Sequence, residues 1–307
     1  MNSSRHIISV SRRTDIPAFY TEWFLRRLKD GFAYYKNPFT GKLIHVSLLP
    51  EHIAGFVLWS KNFAPMLPYL EQIEQYNNRF FFHFTITGLS KEIELYVPPH
   101  DDTIKDLIYL SRRYSADNII WRFDPVCITD RIPFGQHKET FTYCAEKLKG
   151  YITACYISFV HPYAKVLRNF KKYTSHHLLD ISAEEKQHYA TQLAHIAKQY
   201  GIQIYVCCND YLLSEQVLKA SCINSNNLLR IWGYDNVPHE QSAPTRKECA
   251  CTKSQDIGAY DTCPHGCMYC YANSNKEACQ VFLKKHNPEW QLLNSKQWTV
   301  GSEQRTM

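Results

Sequence analysis

The stretch FFFHFTIT, at residues 80–87, is apolar at most positions and rich in aromatic and β-branched side chains. The stretch ITACYISFV, at residues 152–160, has the same character. Strands that are covered on both faces read in this way, because neither face carries the regular polar residues that would meet solvent. The two stretches therefore predict strands inside a parallel sheet that is packed on both sides.

Strand-like and helix-like segments alternate along the first 235 residues. Short apolar runs predict strands at residues 7–11, 43–48, 55–60, 80–87, 118–123, 152–160 and 202–207. Amphipathic segments predict helices at residues 21–29, 65–75, 103–113, 138–149 and 183–199. This alternation indicates an α/β protein with a parallel sheet, and the number of units fits a closed, TIM-like (β/α) barrel over residues 1–235. No G-x-G-x-x-G follows a strand, so the open dinucleotide-binding alternative lacks its signature.

Local signals place several helix ends. Asp101 or Asp102 is expected to cap the helix predicted at residues 103–113. Ser182, with Glu185 three residues later, predicts a capping box at the start of the last barrel helix. Gly201 stands where that helix should end, directly before the next strand.

The C-terminal quarter of the chain carries six cysteines, five of which form two groups. They read Cys249-Ala-Cys251 and then a C-x3-C-x2-C run made of Cys263, Cys267 and Cys270. Three thiolates at the second spacing can hold three irons of a [4Fe–4S] cluster and leave the fourth iron open for a substrate or cofactor. The alternatives are a zinc site, for which only Cys267 and Cys270 have the usual C-x2-C spacing, and unligated thiols.

Residues 236–307 have a different pattern from the predicted barrel. A polar, turn-rich segment leads into the cysteines, and an amphipathic segment at residues 275–285 predicts one closing helix. We therefore expect a second unit, at residues 236–307, in which a cluster-binding loop and a helix pack on the mouth of the barrel.

Composition and charge narrow the class of protein. The chain has 307 residues and a formal net charge of +6, which permits an anionic substrate or cofactor but does not demand nucleic acid. No window approaches the roughly 18 uninterrupted apolar residues of a membrane span. Twelve cysteines without a recognisable export signal indicate a reducing, cytoplasmic location and argue against a disulfide framework.

Polar residues cluster where the predicted strands end, which is where (β/α) barrels carry out their chemistry. Arg122 and Asp124 alternate on one strand and so share a face, as do His83 and Thr85 on another. If that face lines the barrel, its cationic members are suited to binding a carboxylate or phosphate. The alternative is a buried ion-pair network that only holds the barrel together. The catalytic candidates are Arg122, Asp124, Lys61, Arg13 and Asp15.

Several longer motifs resemble the DUF1848 family, which has long been labelled as of unknown function. They are SRRTDIPAFY at residues 11–20, NPF at 37–39, WSKNFAPML at 59–67, WRFDP at 121–125, SFV at 158–160, CAC at 249–251 and S-x-DIGAYDTCPHGCMYCYAN at 254–273. The likeness extends over nearly the whole chain. The last motif is also similar to that of radical SAM enzymes, especially the spore photoproduct lyase-like members whose motif contains Y-C-Y.

The resemblance to radical SAM enzymes implies a cofactor and a reaction. Cys263, Cys267 and Cys270 would ligate a [4Fe–4S] cluster whose open iron chelates S-adenosylmethionine, and Tyr269 would lie near its adenine. One electron, from a donor such as flavodoxin or ferredoxin, would cleave the C5′–S bond. The resulting 5′-deoxyadenosyl radical would take a hydrogen atom from an unknown substrate, for which the positive net charge permits an anion. The other cofactor-binding candidates are Tyr271, His83, Thr85 and Ser158.

The position of the cysteine motif departs from the radical SAM pattern. Radical SAM enzymes usually carry the motif after the first barrel strand, whereas here it follows the last predicted strand. A barrel is cyclic, so a terminal β-loop-α unit can occupy the place of a first one. We therefore expect a circularly permuted radical SAM-like barrel.

The remaining cysteines suggest a second metal site. Cys249 and Cys251 need partners if they are ligands, and the candidates are Cys207 (or its neighbour Cys208) and Cys222. Similar cysteines are found at the matching positions of DUF1848 sequences. Four thiolates would hold a second, closed iron–sulfur cluster or a zinc ion. The alternative is that these thiols are merely buried.

Two other functions compete with the radical SAM hypothesis. The first is a metal-stapled, nucleic-acid-binding or repair-associated module, which would use the positive charge and the many aromatic residues. The second is a barrel hydrolase with a structural cluster, in which Arg122, Asp124 and His83 act on the substrate. Oxygen-resistant, iron-independent activity would favour the hydrolase, and salt-dependent binding to DNA or RNA would favour the module.

Overall fold

The centre of the fold is a parallel sheet of eight strands in the order β10-β1-β4-β5-β6-β7-β8-β9. The computed structural model describes residues 5–235 and 241–294. Residues 1–4, 236–240 and 295–307, which include part of the predicted linker and the C-terminal tail, lie outside that description. The sheet strands are β1 His6–Val10, β4 Ile53–Ser60, β5 Phe80–Thr85, β6 Ile119–Val126, β7 Ala154–Phe159, β8 Gln203–Val206, β9 Val217–Lys219 and β10 Gln255–Asp256.

Helices connect the strands and complete the α/β architecture. They are α1 Ile16–Phe19, α2 Thr21–Asp30, α3 Leu70–Glu74, α4 His100–Tyr114, α5 Phe134–Leu148, α6 Ala164–Tyr173, α7 Ala183–Gln199, α8 Ser225–Ile231 and α9 Lys276–Lys285. Within residues 5–235 and 241–294, no helix is long and apolar enough to cross a membrane.

The order of the strands agrees with the predicted α/β class, and no closed sheet is found among the described residues. Each strand pairs in parallel with its neighbours, and in the described part of the chain β9 and β10 are not hydrogen-bonded to each other. The strand predicted at residues 43–48 exists as β3 Leu43–Ser47. It pairs antiparallel with β2 Phe32–Lys36 in a separate hairpin, so it is not a strand of the eight-stranded sheet.

The edge strand β10 comes from the predicted C-terminal unit. It pairs with β1 through Ile8 opposite Gln255 and Ser9 opposite Asp256. Sequence patterns missed this strand because two residues are too few to show any alternation. The division at residue 235 stays a prediction, but the sheet takes strands from both sides of it.

The two faces of the sheet pack against different parts of the chain. Phe82 and Trp121 lie in the main core, which includes the helices. Phe81 and Ile120, their immediate neighbours in sequence, point to the opposite face and pack with Trp232, which follows α8. Burying each such side chain contributes about 1.5–3 kcal/mol. Both faces are therefore covered, as the apolar runs predict.

The helix ends follow the local signals in all but one case. Ser182 and Glu185 form the predicted capping box at the start of α7. Gly201, with φ +74°, adopts a left-handed conformation just after that helix. Neither Asp101 nor Asp102 caps α4, because the helix begins earlier, at His100; both aspartates lie in its first turn. Their negative charges there still interact favourably with the positive end of the helix dipole.

The Asp256 carboxylate links β10 to the segment formed by β1 and the residues that follow it. One carboxylate oxygen accepts from Ser9 Oγ at 2.5 Å and the Arg12 amide at 2.9 Å. The other accepts from Ser11 Oγ at 2.6 Å and the Gly258 amide at 3.0 Å. A Cβ on Gly258 would lie 2.0 Å from Ser11 Oγ, so a glycine is required for this close approach. The carboxylate therefore fixes β10 against the C-terminal end of β1.

His286 predicts a loss of stability in mild acid. Its ring packs against Tyr20, Phe282 and Trp290, and burial lowers the pKa of His286 from 6.5 to about 4. The unfolded chain takes up the proton first, so stability is full above about pH 6.5 and falls toward pH 4. After allowance for solvent screening, we expect a loss of about 1–2 kcal/mol.

Urea unfolding at about pH 7.5 and about pH 5 measures this effect. The His286→Phe variant keeps an aromatic ring without a titrating proton and should show a smaller difference between the two pH values. An equal difference in the variant and the wild type would contradict the assignment.

Candidate functional site

The cysteine loop, residues 257–275, runs from β10 to α9 and brings Cys263, Cys267 and Cys270 together. Cys267 is buried, whereas Cys263 and Cys270 are partly exposed. The Cys263 thiol interacts electrostatically with both of the others. The amide of Ala272 donates to Cys270 Sγ at 3.3 Å. The loop therefore presents three cysteines in one place.

Side chains and neighbouring backbone hold the cysteine loop in shape. Asn273 Nδ2 donates to the carbonyl of Cys263 at 2.5 Å, and Lys276 Nζ donates to the carbonyl of Cys267 at 2.6 Å. The loop backbone also forms hydrogen bonds with residues 93–96, on the segment after β5. The positions of the thiols are thus set by contacts that do not use the sulfur atoms.

Asp15, a predicted catalytic residue, is a buried anchor in this structure. One carboxylate oxygen accepts from Ser60 Oγ at 2.7 Å and from the Ala18 amide at 3.0 Å. The other accepts from the Lys61 amide at 2.9 Å and lies 2.8 Å from His265 Nε2. These contacts tie the ends of β1 and β4 to the cysteine loop, which is what a positioning residue does.

A second buried carboxylate, Glu94, collects three donors beside the cysteine loop. Its Oε1 accepts from Lys61 Nζ at 2.8 Å, from Thr87 Oγ1 at 2.8 Å and from the Tyr269 hydroxyl. Tyr269 also interacts electrostatically with Cys267. The predicted residues Lys61 and Tyr269 are therefore brought together by a glutamate that the sequence did not single out.

The charges around Glu94 support one another in spite of burial. Burial alone would raise the pKa of Glu94, but the Lys61 ammonium lowers it below its usual value. Burial alone would lower the pKa of Lys61, but Glu94 and the Cys267 sulfur raise it. Burial raises the pKa of the Cys267 thiol to about 12, although Lys61 opposes this. A metal bound there would have to displace the thiol proton.

Arg122, Asp124 and Ser158 form one network at the ends of β6 and β7. Arg122 and Asp124 make an ion pair, and Ser158 Oγ donates to the other carboxylate oxygen of Asp124. Arg122 Nη1 also donates to Cys222 Sγ at 3.4 Å. Lys61 interacts electrostatically with Asp124 as well as with Cys267. This network therefore lies between the cysteine loop and a second group of thiols.

His83 and Thr85 lie on the same face of β5, as alternation predicts. His83 stacks on Trp59 at a ring separation of 4.9 Å, and its Nε2 lies 2.7 Å from the carbonyl of Cys222. Burial lowers the pKa of His83 to about 4, so the ring is neutral at pH 7. Thr85 is in register with Arg122 on the neighbouring strand.

Arg13 and Tyr271 have surroundings of their own. Arg13 Nη1 donates to the carbonyl of Gly258 at 3.3 Å, and the side chain lines a cavity of about 230 Å³ together with Lys36 and Tyr260. The Tyr271 side chain is 51% exposed next to Cys270. These two predicted residues are at the edge of the site.

A group of five thiols, which we call the thiol ring, contains the other predicted metal ligands. Cys207 Sγ lies 3.6 Å from both Cys208 Sγ and Cys222 Sγ. Cys222 and Cys251 lie in one buried cluster, against which Cys207 and Cys249 also pack. Cys208 and Cys249 interact electrostatically, which completes the ring. The four cysteines predicted to share a site are thus neighbours in space.

Within the described ranges, no group of three or more His, Cys, Asp and Glu side chains is arranged to hold a metal ion. A zinc ion binds thiolates that converge on one point, whereas a [4Fe–4S] cluster binds each thiolate through a different iron. The amide hydrogen bond to Cys270 Sγ is of the kind that stabilises cluster thiolates.

A cavity of about 640 Å³ lies beside this site. Thr87, whose hydroxyl donates to Glu94, forms part of its wall, together with Lys91, Arg131 and His176. The wall mixes polar and apolar side chains, and its charged members are Lys91, Arg131 and Glu92.

The fold and the site define a thiol-rich α/β protein whose cysteine loop follows the edge strand of a parallel sheet. The family described as "Domain of unknown function (DUF1848)" matches residues 7–272, so the chain belongs to the DUF1848 family. No curated protein matches this chain.

Sequence reasoning missed Glu94, Asp256 and His265. Asp256 and His265 stand inside the long C-terminal motif, so their position there was an available signal. Glu94 lies in an ordinary charged segment, KEIELYV at residues 91–97, and carries no such signal. Its role depends on the contact between that segment and the cysteine loop.

Proposed function

We propose that this protein is an iron–sulfur enzyme of the radical SAM type. Cys263, Cys267 and Cys270 would hold a [4Fe–4S] cluster. The observation that carries the proposal is the grouping of these three cysteines on one loop that neighbouring side chains and backbone anchor. With S-adenosylmethionine bound, such a cluster would supply an electron and a 5′-deoxyadenosyl radical for hydrogen abstraction from an unknown substrate.

The order of the strands supports a permuted radical SAM-like barrel. Strand β10 precedes β1 in space, although it follows every other sheet strand in sequence. The cysteine loop begins at the end of β10, so it follows the first strand of the spatial order. That is the place that the motif occupies in radical SAM enzymes. A barrel closed between β9 and β10 belongs to this proposal.

Lys61, Glu94 and Tyr269 would set the environment of the cluster. The Lys61 ammonium lies near the Cys267 sulfur and offsets negative charge there. Glu94 keeps Lys61 charged and holds the Tyr269 hydroxyl, which fixes the tyrosine ring beside Cys267. Burial of Cys267 excludes water from that side of the site.

Arg122, Asp124 and Ser158 would face the substrate or the amino acid part of the cofactor. Arg122 is a fixed cation with bidentate geometry, which suits a carboxylate. Asp124 keeps the guanidinium in place and is itself oriented by Ser158. The 640 Å³ cavity beside Thr87 offers room for an anionic substrate.

Anaerobic reconstitution with iron and sulfide tests the proposal. We expect the reduced protein to bind S-adenosylmethionine and to release 5′-deoxyadenosine. The Cys263→Ala, Cys267→Ala and Cys270→Ala variants should each abolish the product. Cys144→Ala, at a buried thiol in α5, is the matched control and should keep full activity. A loaded wild-type protein that neither binds S-adenosylmethionine nor forms 5′-deoxyadenosine would overturn the proposal.

A further inference from the structure

The thiol ring lies at the seam between the two edges of the sheet. Cys207 directly follows β8, Cys222 comes shortly after β9, and Cys251 comes shortly before β10. In the described part of the chain, β9 and β10 share no ladder of hydrogen bonds. The segments that carry Cys222 and Cys251 instead lie side by side, because the Thr252 amide donates to the carbonyl of Ile223 at 2.9 Å.

The distances between the sulfurs match thiolates that share a metal atom. Two thiolates on one tetrahedral metal with bonds of about 2.3 Å lie about 3.8 Å apart. Cys207 Sγ and Cys222 Sγ are 3.6 Å apart. Cys249 and Cys251 are separated by one residue and pack in the same cluster. Two such pairs would supply two thiolates to each of two irons in a cluster held by four cysteines.

We propose that the thiol ring is a second iron–sulfur centre, held by Cys207, Cys222, Cys249 and Cys251. Four thiolates leave no iron open, so this centre is closed and takes no substrate. It joins the ends of β8 and β9 to the segment before β10, at the seam where backbone pairing is missing. Cys208 lies beside the centre and is not a ligand.

The surroundings suit a buried, negatively charged cluster. Cys222 and Cys251 are 7% and 2% exposed. Arg122 donates to Cys222 Sγ, and hydrogen bonds to cluster sulfurs stabilise them and tune their reduction potential. Arg246 interacts electrostatically with Cys208 and Cys207 on the other side. The proposal stands on these thiols alone and does not depend on the radical SAM function.

Iron analysis in a background without the first three cysteines tests the second centre. The full chain with Cys263→Ala, Cys267→Ala and Cys270→Ala is reconstituted anaerobically, and iron and acid-labile sulfide are counted per chain. We expect both to remain, with the absorption and Mössbauer spectra of a closed cluster. Adding Cys222→Ala and Cys251→Ala should remove them, whereas adding Cys208→Ala instead should not.

Three outcomes would overturn the proposal. They are absence of iron from the triple variant, iron that survives Cys222→Ala with Cys251→Ala, and zinc in place of iron and sulfide. If the triple variant does not fold, the test is a comparison of the iron content of the wild type with that of the Cys222→Ala variant. The proposal requires the single variant to lose part of the iron and keep the rest. Chelation should also lower the melting temperature of the triple variant but not that of the variant lacking both sets.

Discussion

Replacing Asp256 with alanine is expected to lower the free energy of unfolding by about 4 kcal/mol. The carboxylate accepts from the hydroxyls of Ser9 and Ser11 and from the amides of Arg12 and Gly258. Alanine would leave these buried donors without a partner, and each unsatisfied donor costs about 1–3 kcal/mol. Relaxation of the surrounding structure, and water that enters and accepts from some of these donors, would reduce the summed cost.

Urea unfolding of the metal-free chain measures the loss at Asp256. Asp256→Asn keeps one acceptor oxygen but turns an amide toward donors, so it should lose an intermediate amount, about 2 kcal/mol. Asp180→Ala, at an exposed position, is the control and should change stability by less than about 0.5 kcal/mol. A loss below about 1 kcal/mol for Asp256→Ala would show that β10 is not held in this way.

Removing either partner of the Lys61–Glu94 pair should lower the free energy of unfolding by a similarly large amount. Lys61 Nζ and Glu94 Oε1 are 2.8 Å apart, and the side chains are only 12% (Lys61) and 3% (Glu94) exposed. Glu94→Gln leaves the Lys61 ammonium buried without its counter-charge. Lys61→Met likewise leaves the Glu94 carboxylate buried without a positive partner. We expect each single variant to lose about 3–4 kcal/mol.

The double variant separates the ion pair from other contacts. Lys61→Met combined with Glu94→Gln buries no unpaired charge, so its loss should be well below the sum of the single losses. The exposed pair of Lys105 and Asp102, 3.1 Å apart, is the matched control. Lys105→Met should cost less than about 0.5 kcal/mol. Additive losses at Lys61 and Glu94 would show that the pair is not coupled.

The apolar runs were sufficient to predict the central strands. Residues 80–87 and 152–160 contain β5 and β7, because consecutive apolar residues can all be buried only when both faces of a strand are covered. The capping box before α7 was equally predictable, since its hydrogen bonds are made within four residues. These features depend on local sequence alone.

Strand pairing was less predictable. The segment at residues 43–48 has the pattern of a sheet strand, yet among the described residues it forms a ladder only with β2, in a hairpin. The pattern reports burial and extension but not the partner. Strand β10 shows the converse, because its two residues carry no pattern and become a strand through pairing with β1 and through the bonds to Asp256.

The cysteines divide along the same line. Spacing within residues 263–270 was enough to group Cys263, Cys267 and Cys270, since ligands close in sequence must stay close in space. Cys207, Cys222 and Cys251 are far apart in sequence, so spacing suggested only that they needed partners. Their contact depends on the seam between the two sheet edges.

The sequence by itself determined the α/β class, the central strands and the identity of the cysteine loop, because each rests on neighbours along the chain. Only the tertiary structure decided that β10 is an edge strand beside β1, that Glu94 holds Lys61 and Tyr269, and that two thiol groups flank Arg122 and Asp124. These are contacts between distant segments. They form because burial brings polar groups together that must then satisfy one another.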